Sequence, residues 1–197
     1  MQHLFDHARL FQDQVARQRD HFDPLAAGQS PQVLFLTCSD SRVIPSLITG
    51  ARPGELFELR TAGNIVPRHD RRHPAGETAT IEYAVEVLGV SDIVVCGHSH
   101  CGAVGAMSRG DDLSAVPAVR SWLEHATPLP GETASDDPRL AGAVQAHVLD
   151  QLGRLLEYPC VAARAGDGRL NLHGWFYEVD TGTVLAHRGH ADEFLPL

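Results

Sequence analysis

The chain has 197 residues, 43% of them apolar and 21% charged, and its 16 Lys+Arg stand against 25 Asp+Glu for a formal net charge of −9. That length sets one domain with room for an arm. The acidity argues against a nucleic-acid partner and against a polybasic membrane anchor, since both need clustered cations, and no run of about 18 apolar residues is present to span a membrane.

Residues 4–22 predict an amphipathic helix, with Leu4, Ala8, Phe11 and Val15 on one apolar stripe among charges. The same segment has no apolar core and no small-residue cleavage site, so it does not read as a secretory leader, and the expected location is the cytoplasm. There, four cysteines are ligands or inert core residues before they are a disulfide framework. Turns are expected at Asp23-Pro24 and over Gly28-Gln29-Ser30-Pro31. Val33–Thr37 is a short apolar run that predicts a buried strand, ending in the small polar stretch Cys38-Ser39-Asp40-Ser41-Arg42. Leu56–Arg60 predicts a second strand and residues 69–74 a surface loop. Glu77–Leu88 predicts a helix, stopped by Gly89. Ile93–Cys96 predicts a third buried strand, running into Gly97-His98-Ser99-His100-Cys101-Gly102.

Val119–His125 predicts a short helix and Pro128–Asp137 an acidic loop. Asp137-Pro138 is expected to cap a long helix from Leu140 to about Tyr158. Leu170–Ala186 alternates and breaks at Asp180-Thr181-Gly182, as a hairpin or an edge strand with a return does. Strands alternating with helices imply a three-layer α/β fold, a mainly parallel central sheet flanked by helices. A helical arm is expected over residues 1–27 and a single α/β domain over 28–197, with the edge strand or hairpin at its C-terminal end.

Ligands of open parallel sheets bind beyond the carboxyl ends of the strands, and the loops carrying Cys38 and His98–Cys101 both take that position. Cys38, His98 and Cys101 make a Cys₂His set that suits Zn²⁺, one ion per chain. Three protein ligands with a fourth position free is the catalytic pattern, whereas structural zinc sites close with four. Arg42 is a natural partner for Asp40, because a guanidinium fork holds a carboxylate in place. Paired, Asp40 can accept a hydrogen bond at the metal; unpaired, it can take the fourth position and close the site in an inactive state. Cys96, inside a strand, and Cys160, after Pro159, read as core residues, and His100 is expected to point away from Cys101.

The runs CSDSR (38–42) and HSHC (98–101) resemble the β-class carbonic anhydrases, which carry C-x-D-x-R followed by H-x-x-C. GQSP at 28–31, PGELF at 53–57, RTAGN at 60–64, IEYAVEVLGV at 81–90 and HGWFYEVDTG at 173–182 are similar to the family in its order. The resemblance implies reversible hydration of carbon dioxide to bicarbonate and a proton, by attack of zinc-bound hydroxide on CO₂. It implies Cys38, His98 and Cys101 as metal ligands and Asp40 and Arg42 as a catalytic dyad. It also implies Gln29 as the amide that holds bicarbonate and Phe57, Ala62 and Tyr83 as an apolar CO₂ pocket. The Gly102 N–H would face the substrate. Phe35 stands where the bicarbonate-inhibited branch carries Trp, and with Gln29 this favours the plant-type and bacterial branch. Carboxysomal members are similar too, so a carboxysome is a second expected location. Family members are homodimers or larger homo-oligomers, with the N-terminal helix over the partner. His69, His73 and His100 qualify as proton carriers by residue type alone.

Two other readings stay open at this point. A structural zinc module needs a permanent fourth ligand, which Asp40 can supply. A zinc hydrolase of COS or CS₂ shares the ligands and differs in the gating of its channel. A dinucleotide fingerprint is absent, because Gly97, Gly102 and Gly105 do not compose G-x-G-x-x-G. Two thiolates cancel the charge of the ion and weaken it as a Lewis acid relative to a three-histidine site. Hydration activity is therefore expected to rise with pH across the neutral range, and a flat stopped-flow pH–rate profile would contradict this.

Overall fold

The computed structural model describes residues 1–127 and 140–197 in two compact units, Met1–Ser30 and Pro31–Leu197. In the first unit the expected single helix is two. α1 (Gln2–Arg17) ends where Gln18 leaves helical geometry at φ −125° and ψ 38°, and α2 (Arg19–Phe22) follows. A 3₁₀ turn over Asp23–Ala27 then carries the chain to Gly28, whose φ of +134° is one that glycine alone adopts readily. Within this unit the apolar stripe finds little to pack on, chiefly Phe11 edge-on to Phe22, and α1 buries none of its residues.

The second unit is built on six strands among the described residues: β1 (Val33–Cys38), β2 (Leu56–Thr61), β3 (Asp92–His98), β4 (Asn171–Tyr177), β5 (Val184–Arg188) and β6 (Glu193–Pro196). They form one sheet in the order β2-β1-β3-β4-β5-β6. The first four are mutually parallel, and β5 and β6 fold back antiparallel as a C-terminal edge. Alternation along β1 sends Leu34, Leu36 and Cys38 to the main core and Phe35 to the opposite face with Val94 and Cys96.

The helices lie unevenly about the sheet. α4 (Gly76–Glu82), α5 (Gly102–Arg109), α7 (Ala141–Leu155) and α8 (Pro159–Gly166) all contribute to the main core. The β1–β2 connection crosses the sheet in the other direction, so right-handed crossover assigns it to the other face. Its helix, α3 (Pro45–Thr49), is five residues long, so the third layer is thin in this unit. α3, α8 and β6 were not expected from sequence; each is short, with few apolar positions to mark a face.

The helix expected over 77–88 is also two pieces. α4 passes at Tyr83 into a wider π turn over Tyr83–Leu88, and Gly89 ends it in the left-handed conformation. Apolar spacing near 3.6 does not separate the two ladders. α6 (Pro117–Leu123) starts two residues before the expected helix. The expected loop Pro128–Asp137 and the Asp137-Pro138 cap lie outside the described residues.

α7 comes unusually close to the sheet because β3 and β4 present glycine beneath it. A Cβ on Gly97 would stand 2.5 Å from Val144 and 2.7 Å from Val148, and one on Gly174 would stand 3.1 Å from Leu152 and Val148. Gly97→Ala is therefore expected to lower the unfolding free energy by about 1–3 kcal/mol, as overpacking of a close-packed core does; denaturant titration of the two proteins measures it.

Candidate metal centre

Parallel pairing sets β1 beside β3 with Thr37 opposite Cys96, so both strands end at one edge of the sheet. Cys38 is the last residue of β1 and His98 the last of β3. Cys101 follows after a tight turn in which His100 adopts φ +57°, and it caps the N-terminus of α5. Their donor atoms lie within 4.8 Å of one another. All three residues are buried: Cys38 is 6% exposed, Cys101 1% and His98 0%.

The donor chemistry of this cluster fits a divalent cation. His98 Nδ1 stands 2.8 Å from the Ser99 carbonyl oxygen. A carbonyl only accepts, so Nδ1 carries the proton and Nε2 is a bare lone pair. That Nε2 is buried and has no hydrogen-bond partner, a costly state unless a Lewis acid sits against it. The two sulfurs share a proton. The Cys101 thiol donates to Cys38 and, with the N–H groups of Asp40 and Gly63, holds Cys38 well below the usual thiol range against the effect of burial. The Cys38 sulfur and burial push Cys101 up, opposed by the Ala103 and Val104 N–H groups at the start of α5. A cation that displaces the shared proton relieves both.

Asp40 and Arg42 are joined at two points, Nε to Oδ1 at 2.9 Å and Nη2 to Oδ2 at 2.7 Å, and the Arg42 N–H also donates to Oδ1. This fork holds the Asp40 carboxyl well below the usual carboxylate range. Asp40 Oδ2 is 3.9 Å from His98 Nε2, and Asp40 is not among the residues whose donor atoms cluster. Arg42 Nη2 reaches on to the His100 carbonyl at 3.2 Å, and the His100 ring turns outward to Asp180 at 2.8 Å.

Several supporting residues were not singled out in the sequence. Arg60, paired in register with Thr37, donates to the carbonyls of Cys38, Asp40 and Val43 at 2.8–3.2 Å and so gathers the whole loop. Gly63 donates its N–H to Cys38 Sγ at 3.4 Å. Ser99 ties the site to the hairpin, through its N–H to the Tyr177 carbonyl and from the Val179 N–H to its own hydroxyl. The one sequence trace of this support is the run RTAGN, which holds both Arg60 and Gly63.

Phe57 and Tyr83 are brought together with ring centroids 6.0 Å apart, and Tyr83 is 44% exposed. Ala62 is exposed and immediately precedes Gly63, and Gly102 opens α5 one residue beyond Cys101. Gln29 is exposed and belongs to the first unit. Cys96 is fully buried in β3, and burial pushes its thiol up to about 12. Cys160, at the start of α8, is only partly buried.

A family profile described as "Carbonic anhydrase" matches residues 33–184. The chain is 46% identical over 194 residues to a carbonic anhydrase of Pseudomonas aeruginosa, covering 96% of this chain and 88% of that protein. It is 41% identical to carbonic anhydrase 1 of Escherichia coli O157:H7, covering 100% and 92%. Among solved structures, the β-carbonic anhydrase CcaA superposes with a TM-score of 0.91 at 37% identity, covering 100% of this chain and 99% of that one. A tetrameric β-carbonic anhydrase from Sordaria macrospora superposes with a TM-score of 0.80 at 30% identity, covering 94% and 95%. With the sheet, the buried Cys-His-Cys cluster and these likenesses together, the chain belongs to the β class of the carbonic anhydrase family, enzymes of zinc-dependent reversible carbon dioxide hydration.

Proposed function

We propose that Cys38, His98 and Cys101 hold one zinc ion per chain and that carbon dioxide is hydrated beside it, with Asp40 and Arg42 as the dyad that orients the attacking water. The observation that carries this is the bare, buried Nε2 of His98 set beside two sulfurs. Zinc supplies the Lewis acidity that makes water nucleophilic near neutral pH. Asp40, locked by its two bonds to Arg42, accepts a hydrogen bond from that water and leaves the fourth position free. Phe57, Tyr83 and Ala62 offer the apolar wall that concentrates a nonpolar gas without binding it tightly. The Gly102 N–H, at the start of α5 beside Cys101, holds an oxygen of the bicarbonate formed.

The N-terminal arm and residues 31–197 work as one protomer of a homodimer or larger homo-oligomer. Supporting this are the unburied apolar stripe of α1, the exposed Leu47 and Val87, and the tetrameric state named for the Sordaria enzyme. The cytoplasm, free or in a carboxysome, is the proposed location. All four cysteines are unpaired, as a reducing compartment keeps them, and no helix among the described residues is long and apolar enough to cross a membrane.

Zinc analysis with stopped-flow hydration tests the site. Wild type is expected to carry one zinc per chain and to hydrate CO₂ rapidly, and Cys38→Ser to lose both. Arg42→Ala is expected to keep its zinc and lose about 10–100-fold in kcat, the scale of removing a residue that orients a metal site. Full turnover in Arg42→Ala would defeat the dyad; zinc without hydration in the wild type would favour a structural module or a hydrolase of COS or CS₂. Light scattering is expected to give at least twice the 21.3 kDa chain mass, and a monomer at micromolar concentration would contradict the assembly.

A further inference from the structure

The Ala62 carbonyl and the Gly63 N–H belong to one peptide plane and point in opposite directions from it. The N–H end donates to Cys38 Sγ. The carbonyl end accepts from Trp122 Nε1–H at 2.8 Å. Indole and sulfur thus grip the two ends of a single peptide, and holding one end aims the other. The next carbonyl, of Gly63, lies 2.8 Å from His147 Nε2. Since a carbonyl only accepts, His147 donates from Nε2, and its Nδ1 is left buried without a partner. A fully buried imidazole with one orphaned nitrogen is a poor way to fill a core; its one satisfied bond fixes this turn.

The turn itself has no slack. Gly63 adopts φ +74°, and a Cβ there would lie 2.9 Å from the Ala103 methyl. The two clamps come from separate elements, Trp122 from α6 and His147 from α7. Trp122 packs against the cluster of Ile65, Leu123 and Ala126 and stacks edge-on with His125.

We propose that Trp122 and His147 are positioning residues of the metal site: together they hold the Ala62–Gly63–Asn64 turn so that the Gly63 N–H is aimed at Cys38 Sγ. This rests on the reading of Cys38 as a zinc ligand. A chain of aligned donors and acceptors polarises each member, so indole, peptide and sulfur act in series. The hydrogen bond draws electron density from the thiolate and fixes its direction toward the metal. Without it, Cys38 is a more basic and less well-placed ligand.

The test uses Trp122→Phe and His147→Leu, which keep bulk and remove the donor, with His147→Gln as a variant that restores an N–H at similar reach. Zinc retention is measured by competition with a chelator, and each protein is also loaded with cobalt(II) to record the thiolate-to-metal charge-transfer band. Trp122→Phe and His147→Leu are expected to hold zinc about tenfold less tightly, within the range for supporting residues of metal sites. Their charge-transfer band is expected to move to lower energy, because a thiolate relieved of its hydrogen bond gives up an electron more easily. His147→Gln is expected to return toward wild type in both. A Trp122→Phe protein that holds zinc within twofold of wild type with its band unmoved overturns the proposal. So does a His147→Gln protein as impaired as His147→Leu, which would leave His147 as packing only. If Trp122→Phe does not fold, the two His147 variants decide. A wild type that takes up no metal would instead overturn the zinc reading, and this proposal with it.

Discussion

Two sulfurs and an imidazole lone pair are buried within 4.8 Å of one another at the carboxyl edge of the sheet. The closeness of the sulfurs lowers one thiol and raises the other, and a buried ring nitrogen without a partner is destabilising. The elements around them are arranged to sustain that concentration of donors. β1 and β3 run parallel in a register that ends both at one level, α5 presents its N-terminal N–H groups to Cys101, and the turn after β2 presents the Gly63 N–H to Cys38.

The same loops are also held through backbone carbonyls and neighbouring side chains. Arg60 gathers the carbonyls of Cys38, Asp40 and Val43, so the polypeptide that carries Cys38 and Asp40 is fixed through its backbone as well as its side chains. Arg42 spans from Asp40 to the His100 carbonyl and thereby links the loop after β1 to the loop after β3. His100 and Ser99 extend the link to the hairpin between β4 and β5. A displacement of any one segment is therefore resisted by the others, which is how a site assembled from loops keeps rigid geometry.

Close packing beneath the site adds to this. α7 can settle onto β3 and β4 because Gly97 and Gly174 carry no side chain, and from that position it delivers His147 to the Gly63 carbonyl and Gln151 to the Val66 N–H. The absence of a methyl group in a strand and the polar contacts of the helix packed on it are parts of one arrangement.

The chain's own pattern determines a good deal. Apolar runs bounded by turn residues locate β1, β2 and β3 to within two residues, and the alternation after Leu170 locates the hairpin, because burial of a central strand leaves a local signature. Cys38, Asp40, Arg42, His98 and Cys101 were legible as a set because thiolate, imidazole and a fork-paired carboxylate are rare together at strand ends. The π turn at Tyr83, the break at Gln18 and the short α3, α8 and β6 leave no such signature, since each depends on a backbone choice that local spacing does not encode. Arg60, Gly63, Trp122 and His147 were invisible as partners for a different reason. Each of their contacts has a backbone carbonyl or N–H on one side, with the partners 17 to 84 residues apart, and a backbone group looks the same at every position of a sequence. Residue types thus decided what chemistry the chain can hold, and only the folded sheet and its crossing helices decided which peptide groups point at it.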